Sequence, residues 1–360
     1  MLINNMKLGA GYNPALCAGS LELPNNVELI EFGLAEYSYV ASTFEKKTNL
    51  SLHIARSPIT EDKKTQVKYL EKLNEKINNN RLHSIGFHLS GERNSGIGRY
   101  GFTSHYTDSS TKRENAIRFI KSSQDLFQIP IWIENANFYS GSFNEVLKNF
   151  DAITDIVYKT DAKLIIDLTH LYIDVRNASG NIFEIINVIP WSNVAEIHLS
   201  GMIVGKDGVF HDGHNKPISE QIFALFSVIS ENYLDSCNLF VTVEHTDKDW
   251  INHQEEYFHD FHKITGILNT KRDEIKSKIN TTADQYARKY LYKIIEARYP
   301  SIKNHMSPCS FRQIVEQWID NIIFNTNNYI VLNDEEMIDN DEKAILLHKD
   351  FKRYFTELFA

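Results

Sequence analysis

Short apolar runs recur along this chain of 360 residues, and the stretches between them carry apolar residues every three or four positions. The runs at 6–11, 28–32, 50–54, 83–88, 130–134, 163–167, 194–199 and 239–244 predict strands. Helical periodicity is clearest at 64–79, 111–127, 143–159 and 217–231, and a last barrel helix is expected near 249–266. Strand and helix in alternation predict an α/β fold with a parallel sheet, and eight such strands predict a TIM-type (β/α)8 barrel. Beyond these elements helical spacing continues at 283–298 and 311–325 without intervening strands, around a Pro- and Ser-containing turn at 300–310. The expected organisation is a barrel over 1–268 and a helical C-terminal extension over 269–360.

The residues on which the strands end turn this architecture towards chemistry. LSLH closes on His53, IGFH on His88, IWIE on Glu134, LIID on Asp167, AEIH on His198 and VTVE on Glu244. In a parallel barrel the C-terminal strand ends converge on one face, so side chains far apart in sequence meet around one pocket. A single His or Glu closing an apolar run is more often a satisfied structural residue, but six in succession predict a metal-binding mouth. His170 in DLTH, and Asp212 with His214 in HDGH, stand close enough in sequence to join it. With four to six ligands per ion, these nine side chains suit two or three metals, and the two-oxygen carboxylates of Glu134, Asp167 and Glu244 are the natural bridges. His245 points the other way by strand alternation and is left out of the set. His211 flanks the set without being assigned to it. Asn135 suits either orientation of a carboxylate or contact with substrate, and is equally a routine turn residue.

Composition narrows the partners. The chain is 42% hydrophobic and 24% charged, with a net charge of -9 whose acidic excess falls in the first 270 residues. An acidic barrel is a poor polyanion binder, so no nucleic-acid partner is expected. No apolar run approaches the roughly 20 residues that span a bilayer, and the N-terminus lacks a basic segment followed by an apolar one. A cytoplasmic protein with no membrane partner is expected. Cys17, Cys237 and Cys309 form no CxxC pair, which leaves nitrogen and oxygen as metal donors. The glycine-rich segment 91–110 leaves the C-terminal end of the fourth strand and is expected to be a lid or wall of the site.

The ordered pattern SLH, FHLSG, IEN, IIDLTHLYIDVRN, EIHLSG, HDGHNKPI and VEH resembles the multinuclear non-haem iron-dependent oxidases that modify ribosomally made peptides, the methanobactin-oxidase-like barrels. The resemblance runs over about 6–265, and the nine positions match the family's ligand pattern one by one. It implies two or three iron ions, dioxygen as co-substrate, a precursor peptide modified at Cys, and a separate peptide-presenting partner protein. It also implies a catalytic iron pair held by His53, His88, Glu134, Asp167, His198 and Glu244, with His170, Asp212 and His214 around a third ion. The opening GAGYNPAL, the IGFH strand and the NKPI run depart from the family's usual wording, which bears on substrate identity more than on the metal ligands. The rival is a zinc-dependent endonuclease acting at abasic DNA sites, a phosphodiesterase on the same barrel with a similar ligand order. The acidic barrel and the LSG that follows His198 argue against it.

Overall fold

The computed structural model describes residues 6–44, 48–77, 81–91, 106–234, 239–270 and 292. The barrel strands are β1 (Lys7–Gly11), β2 (Val27–Phe32), β3 (Asn49–Ile54), β4 (Ser84–His88), β5 (Ile131–Glu134), β6 (Lys163–Asp167), β7 (Val194–Leu199) and β10 (Phe240–Val243). They close into a parallel barrel in the order β1-β10-β7-β6-β5-β4-β3-β2. Each predicted strand lies within about a residue of its observed bounds, because these runs are short, apolar on both faces and flanked by polar residues. A hairpin absent from the sequence expectation, β8 (Met202–Val204) with β9 (Phe210–Asp212), is inserted after β7 and pairs antiparallel.

Helices α1 (Pro14–Cys17), α2 (Tyr37–Thr43), α3 (Lys63–Lys76), α4 (Ser110–Phe127), α5 (Phe143–Thr160), α6 (Leu168–Asn177), α7 (Ile182–Ile186) and α8 (Glu220–Tyr233) fill the connections. Caps explain their starts: Asp62, Ser109, Ser142 and Ser219 each accept a backbone N–H of the first turn. Ser219 sets the start of α8, three residues after the expected 217. The helix expected at 249–266 is divided into a 3-10 turn, Lys248–Asn252, and helical residues 254–270. No helix among the described residues is long and apolar enough to cross a membrane.

Among the described residues two apolar regions hold the barrel. The larger lies between strands and helices, where Phe87 of β4 and Phe119 of α4 meet edge to face at 5.0 Å. Burying such a side chain contributes about 1.5–3 kcal/mol relative to leaving it exposed. The smaller comprises Leu29, Trp132, Ile165 and Phe240, which alternation directs into the lumen. On the same lumen face, one register further towards the C-terminal ends, Glu31, Glu134, Asp167 and Thr242 replace them. The lumen therefore has an apolar floor and a polar mouth.

Contacts divide the chain into two compact units, Asn4–Asn269 and Met1–Ile3 with Thr270–Ala360. The helices expected at 283–298 and 311–325 and the lid expected at 91–110 lie wholly or mostly outside the described residues, apart from Gly91, 106–110 and residue 292.

Candidate metal centre

His88, Glu134 and Asp167 are the last residues of β4, β5 and β6, while His53 and His198 stand one position before the ends of β3 and β7. Glu244 follows β10 directly. Asp167 is also the N-cap of α6, its Oδ1 accepting the His170 N–H at 2.6 Å, so His170 enters the mouth from a first helical turn. Asp212 closes β9, and His214 follows in the turn behind it. All nine predicted side chains stand in this one region.

Eight of them fall into three groups, within each of which the donor atoms lie within 4.8 Å of one another: His53, His88, Glu134; Glu134, Asp167, His198; and His170, Asp212, His214. Two further groups of the same closeness among the described residues, Glu31, His53, Glu244 and Glu31, Glu196, His198, include the ninth, Glu244. In the first, Glu134 Oε2 is 3.1 Å from His53 Nε2 and 3.3 Å from His88 Nε2. The other oxygen, Oε1, faces the second group, 3.6 Å from His198 Nδ1, which is also 3.5 Å from Glu244 Oε1. In the third, Asp212 Oδ2 is 2.8 Å from His214 Nε2 and 3.5 Å from His170 Nε2. Glu244 Oε2 stands 3.6 Å from His214 Nε2 and so touches the second and third groups together. The third group is the more open one: the His214 side chain is 26% exposed, whereas those of Glu134, Asp167 and His198 are 0% exposed.

The residues fit metal ions on two grounds. Both oxygens of Glu134 and one each of Asp167 and Glu244 are buried without a hydrogen-bond partner. Such orphans are rare in folded proteins and costly unless ions or protons satisfy them. The far nitrogens of two histidines are also anchored: His170 Nδ1 lies 3.0 Å from the Asn135 carbonyl oxygen, and His214 Nδ1 lies 3.0 Å from Thr246 Oγ1. This leaves each Nε2 free for a metal.

Electrostatics agree. Burial would raise Glu134 and Asp212, but the imidazoles around them outweigh it and hold both carboxyls well below the usual carboxylate range. Burial would lower His170 and His198, but the surrounding carboxylates hold both well above the ordinary imidazole value. For His53 burial wins and its value falls to about 3, so this ring is neutral near neutral pH, as a metal ligand would need to be.

Asn135 proves to be a clamp. Its Nδ2 donates to the Asp167 carbonyl at 2.9 Å and its Oδ1 accepts the Asp167 N–H at 3.0 Å, tying β5 to β6 beside the candidate ligands Glu134, Asp167 and His170. His245 faces away, stacked on Trp250 at 3.8 Å with its Nε2 2.9 Å from Asp260 Oδ2. His211 Nδ1 lies 3.0 Å from the Tyr139 hydroxyl and belongs to none of the three groups. Two buried carboxylates missed from the sequence line the same lumen, Glu31 of β2 and Glu196 of β7. Glu31 stands one place before its strand end, as His53 and His198 do, and Glu196 shares the face of His198 by alternation.

Closed parallel barrel, buried ligand clusters and anchored imidazoles together define a TIM-barrel protein with a multinuclear candidate metal centre at its C-terminal mouth. Comparison with known families narrows this further. Residues 28–268 match the family of RiPP precursor modification enzymes MbnB/TglH/ChrH, which act on ribosomally synthesised, post-translationally modified peptides, and the chain belongs to that family.

Among curated relatives, a UPF0276 protein of Caulobacter vibrioides is 23% identical over 114 residues, covering 32% of this chain and 40% of that one. UPF0276 protein VV3194 of Vibrio vulnificus is 27% identical over 106 residues, covering 29% and 36%. The matched region thus spans less than half of these relatives. A solved 3-keto-D-glucoside 4-epimerase from E. coli is similar with a TM-score of 0.44 at 10% identity, covering 74% of this chain and 100% of that one.

Proposed function

We propose that this protein is an oxygen-dependent, non-haem iron oxidase that modifies a ribosomally made precursor peptide, with a cysteine side chain as the reacting group. Family membership over 28–268 supports the peptide substrate. The observation that carries the metal chemistry is Glu134, whose two oxygens face separate histidine groups as a bridging carboxylate would. Nitrogen and oxygen donors without thiolate accord with iron, which the sequence resemblance favours.

In this reading His53, His88 and Glu134 hold one ion, Glu134, Asp167, His198 and Glu244 a second, and His170, Asp212 and His214 a third. Iron bound there would supply a site for the substrate thiol and for activating oxygen. The chain does the rest. Leu29, Trp132, Ile165 and Phe240 close the lumen from below and keep water from the buried ligands. The more open third group marks the side from which a peptide approaches. A separate protein presents the peptide, and the reaction takes place in the cytoplasm, where the substrate is made.

The test is metal analysis with Mössbauer spectroscopy on protein purified without oxygen. Two or three irons per chain, magnetically coupled, is the expected result. Tightly held zinc together with cleavage of abasic-site DNA would overturn the proposal in favour of the nuclease.

A further inference from the structure

Glu31 lies in the lumen between Gly11 on β1 and Ser51 on β3, its register neighbours. Neither neighbour has a bulky side chain, so the Glu31 carboxylate can reach across the lumen. Its Oε2 is 3.5 Å from His53 Nδ1 and 3.1 Å from His198 Nε2. All three atoms are buried and none makes a hydrogen bond to any other group. Among the described residues no Lys or Arg stands within ion-pair reach of Glu31; its ion-pair partners are these two histidines.

The two rings present opposite atoms to the ligand groups. His53 turns Nε2 to Glu134 and Nδ1 to Glu31, while His198 turns Nδ1 to Glu134 and Glu244 and Nε2 to Glu31. An imidazole binds a metal through one nitrogen and carries its proton on the other, and a carboxylate behind the ring fixes which is which. Here one carboxylate oxygen stands behind a histidine of the first group and a histidine of the second. Glu196 is the weaker candidate for that role: its Oε1 accepts the Thr242 hydroxyl and lies 3.4 Å from His198 Nε2, and no ion-pair contact links it to His53 among the described residues.

We infer that Glu31 is a positioning residue shared by two metal sites, fixing the Nδ1–H tautomer of His53 and the Nε2–H tautomer of His198 so that the opposite nitrogens face the ions. This inference rests on the proposed metal centre. Glu31 also offers an oxygen within 4.8 Å of donor atoms of His53 with Glu244 and of Glu196 with His198, but it meets both rings on the nitrogen turned away from Glu134, so the inference places it behind the ligands, coupling the two groups that Glu134 also joins. A neutral amide can still offer one oxygen to both rings but removes the negative charge that makes these contacts strong, so Glu31→Gln weakens the hold on both rings at once while leaving the His170, Asp212 and His214 group intact.

The test is Co(II) titration of the ion-free full chain and of Glu31→Gln, following visible absorption and bound metal, with circular dichroism to verify folding. Glu31→Asp serves as a second variant that keeps the charge. The expected result is an unchanged number of ions at saturation, two of them bound about 10- to 100-fold more weakly with altered spectra, and a third unaffected. Glu31→Asp should recover part of the lost affinity.

Loss of one ion per chain in Glu31→Gln would make Glu31 a ligand and overturn the inference. So would binding identical to that of the unaltered protein, or weakening of one site alone. Should Glu31→Gln fail to fold, Glu31→Asp decides: wild-type affinity and spectra would exclude tautomer control by the precisely placed carboxylate. If the unaltered chain takes up no Co(II), the metal-centre proposal itself fails, which separates the two outcomes.

Discussion

His53 and His88 face each other Nε2 to Nε2 at 2.8 Å, and Glu134 Oε2 caps the pair from the side. Without an ion one ring donates its Nε2–H to the lone pair of the other, and a cation held by both nitrogens would replace that hydrogen bond with coordination. His88→Ala should therefore release one ion per chain or weaken its binding by more than about 100-fold, a larger effect than loss of an outer hydrogen-bond partner. Turnover should be abolished. Metal equivalents after dialysis, measured beside activity, check this, and retention of full metal and full rate would show that the pair is only structural.

Asn135 acts at one remove. Its amide holds both polar atoms of the Asp167 peptide positions, and its own carbonyl oxygen faces His170 Nδ1. Asn135→Ala leaves the buried Asp167 N–H without its acceptor, while the Asp167 carbonyl keeps the first intrahelical bond of α6, a cost of about 1–3 kcal/mol. The expected outcome is a lower Tm together with weaker metal binding in the second and third groups, and little change in the first. Asn135→Asp keeps the acceptor for the Asp167 N–H but sets a second oxygen against the Asp167 carbonyl and adds a buried charge beside Glu134, so it should destabilise at least as much as Asn135→Ala.

How much of this was legible in the chain depends on local signal strength. The strands stood out because LIID, AEIH and IWIE join apolar runs to abrupt polar ends, and the convergence of those ends follows from topology alone. Helix α6 was not expected, although Asp167 followed three residues later by His170 is an N-cap arrangement; LTHLYIDVRN is too mixed for its apolar stripe to show. The β8–β9 hairpin was missed because three-residue strands carry almost no periodicity, though Gly208 at φ 80 marks its turn. Glu31 gives no such strand-end signal, because the apolar Phe32 follows it and closes the run. The neighbours that anchor the imidazoles, Asn135 by its carbonyl and Thr246 by its hydroxyl, are contacts that only three dimensions reveal.

Protons and metal compete at the third group. Burial lowers His214, but Asp212 and Glu244 outweigh it and push it up to about 10 from an ordinary 6.5. Because the folded value lies above the unfolded one, the stability His214 contributes to the ion-free protein is complete below about 6.5 and is lost as pH rises through about 10. A bound metal must displace that proton, so uptake should release protons near neutral pH, and affinity should weaken as pH falls. Calorimetric titration in buffers of differing ionisation enthalpy reads the release directly. His214→Ala should reduce it and flatten the alkaline loss of stability in the ion-free chain. An unchanged proton count in that variant would assign the release to another group.

Gly86 tests how closely the lumen is fitted around the first group. A Cβ at this position would stand 2.9 Å from Ile165 Cδ1 and 3.1 Å from His53 Nδ1. The isoleucine end can turn aside, but the His53 ring is held between Glu31, His88 and Glu134 and has less room. Gly86→Ala should cost about 1–3 kcal/mol through overpacking, and it should weaken the ion held by His53 while sparing that held by His170, Asp212 and His214. Gly266 is the matching control, since it lies within the helical residues 254–270 and a Cβ there meets nothing within 4 Å. Gly266→Ala should raise stability by about 0.5–1 kcal/mol through helix propensity and leave every metal site unchanged. Thermal melts and Co(II) titrations of the two variants side by side distinguish a lumen packed against its ligand histidine from one with space to spare: equal behaviour would mean that His53 adjusts freely.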